Sequence, residues 1–322
     1  MSNIRPLDFS NHDIKTFVQL SNLCWPDHQT TEASVRHDIE TWPPKYFITR
    51  NMIEHDGAVI GLAEALEMPW SYKPGKYFIS INIHPDYRRK GHAKSAYQFL
   101  LDELNKRDPA PAHLVGEVRE DMTPGVTMLE SLGYTVAMRY PISHLTVAEF
   151  DPAPFASSAQ RFKDSGLKAR TLADLKTEDP DWSNKLYDLV WAIAQDVPST
   201  DPPEKPTKEE FDQRIDSPSR LYDGYFIAVD GDSYVGLSNL SADLADKKKV
   251  FTGLTGVIRS HRRKSVATAL KLHAIEFARQ YGAEIIETDN EENNPMYQIN
   301  VKLGFKPVPG WVEYHKAVSS TP

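Results

Sequence analysis

The sequence lacks the features that mark several large classes of protein. Its single cysteine, Cys24, excludes an internal disulfide and a zinc site built on cysteine thiolates. The 11 histidines include no His-x-x-x-His or His-x-His pair, so no metal site is predicted. No apolar stretch approaches the roughly 20 residues that a membrane-spanning helix needs, and the first residues lack the apolar core of a signal peptide. These absences predict a protein of the reducing cytoplasm with no membrane partner.

Charge is spread evenly along the chain. The 322 residues carry a formal net charge of −8. Residues 1–150 hold 15 Lys and Arg against 19 Asp and Glu, and residues 151–322 hold 22 against 26. Neither half has the basic excess of a nucleic-acid-binding domain, so no nucleic-acid partner is expected. The length suits two domains of ordinary size, and the sequence leaves the oligomeric state open.

A basic triplet occurs twice in matching surroundings. Arg88–Lys90 and Arg262–Lys264 each follow a β-like run, at residues 77–83 and 250–257. Each triplet also precedes an amphipathic helical pattern with apolar residues at i, i+3 and i+4 spacings. The pattern predicts that the chain repeats one strand–loop–helix unit.

Further matches extend the repeat over nearly the whole chain. Ile60-Gly61-Leu62 is echoed by Val235-Gly236-Leu237, and Leu132-Gly133-Tyr134 by Leu303-Gly304-Phe305. Upstream, two short amphipathic helices are predicted to end near Pro26 and Pro198. The chain is therefore predicted to contain two copies of one unit.

Composition marks the boundary between the copies. Residues 151–165 are rich in Pro and Ser and are predicted to link domains at 1–150 and 166–322. A second irregular stretch, 197–208, contains four prolines inside the second copy. Its position predicts a flap over a cleft.

A strand that leads through a basic turn into a helix can bind an anion. The first N–H groups of a helix have no intrahelical acceptor, and the helix dipole adds about half a positive charge there. Gly91 and Ala93 leave room for a phosphate to approach the backbone. Arg88, Arg89 and Lys90 add side-chain charge. Both loops are therefore candidate phosphate sites.

With these motifs the sequence resembles the GNAT superfamily of acyl-coenzyme A-dependent N-acetyltransferases in tandem form, an arrangement shared by mycothiol synthases. The resemblance implies an α/β fold of two tandem GNAT (acyl-CoA N-acyltransferase) domains. Each is expected to be a mixed, mostly antiparallel sheet flanked by helices.

The resemblance also implies a site for acetyl-CoA in each copy. In the family the basic loop binds the pyrophosphate, and the preceding strand pairs with the pantetheine arm. In the first copy the matching residues are Ile81, Ile83, Arg88, Arg89, Lys90, Gly91, His92 and Ala93. In the second they are Thr255, Val257, Arg262, Arg263, Lys264, Ser265, Val266 and Ala267, with Ser265 in place of the loop glycine.

The segment from Thr288 to Phe305 resembles the family's thioester end. There Asn290, Asn293 and Met296 are expected to contact the cofactor. The family's usual thiol acid, a tyrosine, is replaced by Asn300 here and by Leu129 in the first copy, so Tyr297 is predicted as the acid. Asn290 and Asn300 complete the predicted catalytic set. The competing interpretation is a capped helix with Met296 in the core.

The sequence thus predicts an N-acetyltransferase that transfers an acetyl group from acetyl-CoA to a primary amine of a small molecule or peptide. The acidic net charge favours a cationic acceptor. Chemistry is predicted in the second copy; otherwise the first copy would work with Glu67 or Glu120 as base. Glu64 and Asp243 are further candidate bases. Two other functions stay open: an acyl-CoA sensor with one or both copies catalytically degenerate, and a first copy that only braces the second.

Overall fold

The computed structural model describes residues 3–318, which form two compact units. Unit 1 contains the chain up to Met138 and again from Val312, and unit 2 is Arg139–Trp311. Both units are sheets flanked by helices, which confirms the predicted fold class. None of the helices within residues 3–318 has the length and apolar character that crossing a bilayer demands.

Unit 1 contains a sheet in the order β1-β2-β3-β4-β5, with the end of β12 after β5. Strands β1 to β4 pair with their neighbours in antiparallel fashion, whereas β4 and β5 are parallel. The elements in chain order are β1 (Asn3–Pro6), α1 (Asn11–Cys24), α2 (Glu32–Glu40), β2 (Ile48–His55), β3 (Ala58–Leu66), β4 (Lys76–Ile83), α3 (His92–Leu104), β5 (His113–Arg119), α4 (Thr123–Ser131) and the start of β6 (Thr135–Thr146).

The periodicity of α3 explains how the core of unit 1 forms. Ala96, Leu100 and Leu104 recur at four-residue spacing, so they share one face of the helix. All three are fully buried. They pack on the sheet with Tyr77 and Leu114. This packing fixes the first turn of α3 beside the end of β4.

Unit 2 has the strand order β6-β11-β10-β9-β8-β7, with β10 and β11 parallel. Its other elements in chain order are α5 (Ala156–Asp164), β7 (Lys168–Thr171), α6 (Leu172–Glu178), α7 (Trp182–Ala194), α8 (Lys208–Ile215), β8 (Arg220–Asp230), β9 (Ser233–Ala242), β10 (Lys249–Val257), α9 (Val266–Tyr281), β11 (Ile285–Asp289), α10 (Pro295–Lys302) and β12 (Lys306–Ala317).

The compact units differ from the predicted domain ranges at the last strand of each repeat. Residues Ile142–Thr146 of β6 pair with β11 in unit 2. Val312 and Tyr314 of β12 belong to the core of unit 1. The segment 151–165, predicted as a linker, contains α5, which buries Phe162. The ranges 1–150, 151–165 and 166–322, which were drawn from the sequence repeat, stay a prediction.

Candidate functional site

A cavity of unit 1 opens where β4 and β5 separate. The two strands pair only between Lys76–Phe78 and His113–Val115, although β4 continues to Ile83 and β5 to Arg119. Residues of both strands beyond this point line a cavity of about 350 Å³. Because the strands diverge, backbone groups of β4 that face β5 are left without a strand partner. An extended ligand can therefore pair with this edge.

The basic loop lies at one end of this cavity. Gly91 precedes α3 with φ +86° and Arg89 has φ +63°. The first residues of α3 line the cavity at this end, and the N–H groups of a first helical turn have no intrahelical acceptor. Arg88 is fixed by its Nε, which donates to the Ile83 carbonyl oxygen at 3.0 Å. The loop therefore offers backbone donors and positive side chains together.

Most predicted cofactor residues of the first repeat line this cavity. They are Ile81, Ile83, Arg88, Arg89, Gly91, His92 and Ala93. Lys90 lies outside the lining, and its Nζ donates to the Asp86 carbonyl oxygen at 2.9 Å. Burial, His55 and Lys90 lower the pKa of His92, which favours its neutral form. The positive charge at this end therefore comes from Arg88, Arg89 and the lining residue Lys94.

Polar side chains line the cavity on the face opposite α3. Ile79 and Ile83 point into the α3 core, so the alternate residues Ser80 and Asn82 face the other way. On β5, Val118 also faces the core, which places Glu117 on the same side as Ser80. All of these polar residues line the cavity.

Trp25 and Glu117 were not predicted from the sequence. Trp25 follows α1, and its Nε1 donates to Asn82 Oδ1 at 2.7 Å. Glu117 is an exposed carboxylate on the cavity wall. The alternation of β5 could have shown that Glu117 faces away from the core, but the sequence does not reveal where β4 and β5 separate.

The wall formed by α4 is largely apolar. Leu129 lies there, at the position where the resemblance places a tyrosine acid, together with Met122 and Met128. Tyr134 is buried, and its hydroxyl has no hydrogen-bond partner among residues 3–318. Burial raises the pKa of this hydroxyl, so it stays protonated.

The candidate bases named from the sequence have structural partners and lie outside the cavity linings. Arg50 Nε donates to Glu64 at 3.0 Å, and burial raises the pKa of Glu64. Glu67 accepts from the Phe47 backbone N–H at 2.9 Å. The two remaining candidates are Asp243, which is buried and accepts from the backbone N–H groups of residues 245 and 246, and Glu120, which is exposed.

Unit 2 has a corresponding cavity of about 490 Å³. Here β10 and β11 pair only at Lys249–Phe251 with Ile285–Glu287. The loop backbone matches that of unit 1, with φ +63° at Arg263 and +60° at Ser265. This conformation costs a serine roughly 1–2 kcal/mol that a glycine does not pay. The predicted residues in the lining are Thr255, Val257, Arg262, Arg263, Ser265, Val266, Ala267 and Met296, whereas Lys264, Asn290 and Asn293 lie outside it.

A carboxylate occupies the basic loop of unit 2. Asp196, which follows α7, accepts from Arg259 Nε at 3.1 Å and also from Arg262. These hydrogen bonds lower the pKa of Asp196 to about 2, and the bond from Arg259 contributes most. Ser265 Oγ is also engaged, because Arg161 Nε donates to it at 3.0 Å. Asp196 thus pairs with two of the four Arg and Lys side chains at residues 259–264.

The predicted catalytic set of unit 2 is not gathered on its cavity. Asn300 is buried and donates to Asn290 Oδ1 at 2.6 Å, and neither residue lines the cavity. Tyr297 lies on α10 outside the lining, while Asn294 caps that helix. The assignment of chemistry to unit 2 stays a prediction. Within residues 3–318, no group of three or more His, Cys, Asp or Glu side chains could hold a metal ion.

The acetyltransferase (GNAT) family model matches residues 14–134 and 184–305, which together make up more than half of the chain. In structure, the whole chain is similar to a tandem GNAT protein from the clavulanic acid biosynthesis pathway, with a TM-score of 0.78, 18% identity and 100% of both chains covered. It is also similar to a GCN5-related N-acetyltransferase from Sphaerobacter thermophilus, with a TM-score of 0.68 and 18% identity over 98% of this chain and 95% of that one.

A shorter similarity exists to a protein of assigned activity. Over 58 residues, or 18% of the chain, the sequence is 38% identical to the [ribosomal protein bS18]-alanine N-acetyltransferase of Escherichia coli strain K12. The chain spans only 38% of the length of that relative.

Proposed function

The chain belongs to the acetyltransferase (GNAT) family, as a tandem two-domain N-acetyltransferase, and on this premise we propose that unit 1 transfers an acetyl group from acetyl-CoA to a primary amine. One observation carries the proposal: a single cavity joins the basic first turn of α3 to a carboxylate, Glu117, across the separated strands β4 and β5. It thus connects a phosphate-binding end with a proton-accepting group.

The residues present suit acetyl-CoA, which supplies the acetyl group as a thioester. Arg88, Arg89 and the N–H groups of the first turn of α3 would hold the pyrophosphate, at roughly 1.5–3 kcal/mol per charge-assisted bond. The edge of β4 beyond Phe78 would pair with the pantetheine arm. Its N–H groups are also the available donors for an oxyanion. Most of the rate enhancement would then come from positioning.

Glu117 is the proposed proton acceptor for the amine. An amine with a pKa near 10.4 must lose a proton before it attacks, which at pH 7 costs about 4.6 kcal/mol. Glu117 lies on the Trp25 side of the cavity, opposite the α3 core, so an acceptor entering from that side meets it directly. A carboxylate there also favours a cationic acceptor. The cytoplasmic location stays part of this proposal.

Glu117→Gln tests the assignment. We expect kcat with acetyl-CoA and the best amine of a panel to fall by about 10²-fold or more, because a proton-transfer group is lost. The KM for acetyl-CoA should hardly change, since Glu117 is not among the basic-loop residues proposed to hold the pyrophosphate. Glu120→Gln, an exposed carboxylate three residues along, is the matched control and should keep wild-type rates.

The variants Tyr297→Phe and Asn290→Ala test unit 2 in the same assay. Both should retain activity if unit 1 performs the reaction. A large loss of kcat in these two variants, together with full activity in Glu117→Gln, would contradict the proposal and place the chemistry in unit 2.

A second candidate function, an acyl-CoA sensor, is favoured by one observation. Leu129 stands where the family carries its thiol acid, and it lines the cavity. Thermal stabilisation by acetyl-CoA without turnover of any amine would support the sensor over the enzyme.

A further inference from the structure

The end of α1, at Cys24, and the segment that follows the end of α7, at Ala194, bring different groups to the two basic loops. Cys24 lies two residues before Pro26, and Asp196 lies two residues before Pro198. Cys24 Sγ donates to the Ile83 carbonyl oxygen at 3.5 Å, the same oxygen that Arg88 Nε contacts at 3.0 Å. In unit 2, Arg262 Nε makes the matching bond to the Val257 carbonyl oxygen at 3.0 Å, while Arg262 also donates to Asp196.

The two groups have opposite effects on the loop arginine. Burial raises the pKa of Cys24, so its thiol is neutral. In the part of the chain that the structure describes, Arg88 makes no ion pair with a carboxylate, and its charge stays available to a ligand. Asp196 is ionised at any pH above about 2. It therefore places a negative charge against Arg262, which it shares with Arg259.

The strand beside the loop also contacts α7 in unit 2. A Cβ placed on Gly256 would lie only 2.2 Å from Ile193 Cγ2, which shows that Ile193 of α7 packs directly on the β10 backbone. Gly256 and the matching residue of unit 1, Asn82, both line a cavity, but Asn82 accepts a hydrogen bond from Trp25. The α7 segment thus supplies both a carboxylate for the loop and an apolar contact for the strand.

We propose that Asp196 acts as a built-in anion that fills the phosphate site of unit 2 and excludes coenzyme A from it, so that each chain binds one coenzyme A, in unit 1. The residue two positions before the proline, Cys24 in unit 1 and Asp196 in unit 2, determines whether the basic loop of that unit binds coenzyme A. An entering pyrophosphate would compete with the carboxylate for the same arginine and would meet like-charge repulsion. This inference rests on the proposed function, because it takes unit 1 as the coenzyme A site.

Calorimetric titration of the full-length protein with coenzyme A, combined with reciprocal substitutions, tests the inference. The wild type should bind one equivalent. Cys24→Asp should weaken that binding at least about tenfold, because it brings a carboxylate to Arg88. Asp196→Cys and the isosteric Asp196→Asn should each add a second equivalent, since both free Arg262.

Two controls separate charge from local disruption. Cys24→Ser keeps a small neutral group and should leave one equivalent with the wild-type affinity. Asp188→Cys changes an exposed carboxylate on α7 itself and should also leave one equivalent. The melting temperature of each variant shows that it is folded.

The outcomes distinguish this inference from the function on which it rests. Two equivalents in the wild type, one equivalent in both folded Asp196 variants, or unchanged affinity in Cys24→Asp would each overturn the role of Asp196. None of these results would contradict acetyl transfer. No binding by the wild type would overturn the proposed function and this inference together.

Discussion

Lys271 is a lysine whose side chain is buried in the protein. It lies on α9 of unit 2 with 3% of its surface exposed. Its neighbours around a small internal space include Ser238, Thr252 and Phe305. Burial alone, with no compensating carboxylate, lowers the pKa of Lys271 to about 7. The folded protein therefore holds this proton much less tightly than the unfolded chain does.

We predict that Lys271→Met raises the melting temperature at neutral pH. The folded-state pKa lies below the value near 10.4 of a free lysine, so burying the charged form destabilises the protein fully below about pH 7. This penalty disappears as the pH rises from about 7 to about 10. The gain from methionine should accordingly be largest at or below pH 7 and absent near pH 10. Calorimetric melting across this range checks it, and Lys302→Met, an exposed residue on α10, should show no such trend.

At the scale of single elements, an ion pair holds α1 against the first strand of unit 1. Arg5 of β1 donates to both oxygens of Asp13, at 2.6 and 2.9 Å. Asp13 is buried and also accepts from the Asp8 backbone N–H. The hydrogen bond from Arg5 is the main reason that the pKa of Asp13 falls to about 2. This attachment fixes the helix whose other end carries Cys24.

We expect Asp13→Asn to destabilise the protein by about 1–3 kcal/mol at neutral pH, as typical for a buried charge-assisted bond. The folded pKa lies below the value near 3.9 of a free aspartate. The stabilisation is therefore present above about pH 4 and is lost as the pH falls toward 2. Urea unfolding measures the difference in free energy of unfolding between the wild type and Asp13→Asn. This difference should be large at pH 7 and smaller at pH 3. If Asp102→Asn on the exposed face of α3 costs as much as Asp13→Asn, the ion pair is not the cause.

The sequence predicted the strand, loop and helix that form the site, but it did not predict the residues that reach the site from other elements. Strand β4, the basic loop and the apolar stripe of α3 follow from local periodicity and were expected before the structure. Asp196 could not be assigned to the loop from the sequence, because it reaches Arg262 from 66 residues away. Glu117 was missed for a related reason: alternation gives the face of a residue on β5, whereas the separation of β4 from β5 depends on packing between elements.

For the whole molecule, the sequence repeat predicted two units, and the compact units of the structure divide the strands β6 and β12, which end the two repeats, at Met138 and Val312. Alternation sets the two faces of a strand and leaves its partner strand undetermined, so the sequence does not show which strands β6 and β12 pair with. In the structure, Val312 and Tyr314 are 2% and 4% exposed in the core of unit 1. A residue near the end of the sequence therefore supports the unit that holds the proposed cofactor site.

We predict that Tyr314→Ala loosens unit 1. Removing a buried aromatic ring costs about 3–5 kcal/mol. Amide hydrogen exchange should accelerate in β4 and β5, while β8 and β9 of unit 2 keep their protection. Lys306→Ala, at the exposed start of the same strand, serves as the comparison and should leave exchange unchanged. Faster exchange confined to unit 2 would show that Tyr314 supports the other core.

The division of the chain between the two units also affects when the core of unit 1 can be completed during protein synthesis. A ribosome adds roughly 5–20 residues per second, so the interval between the emergence of Met138 and that of Val312 lasts about 10–35 s. Throughout that time the nascent amino-terminal half lacks the two side chains that complete its interior, and its apolar surface is open to chaperones and to other chains. The part of unit 1 that is made first can thus complete its core only after Val312 and Tyr314 have been synthesised.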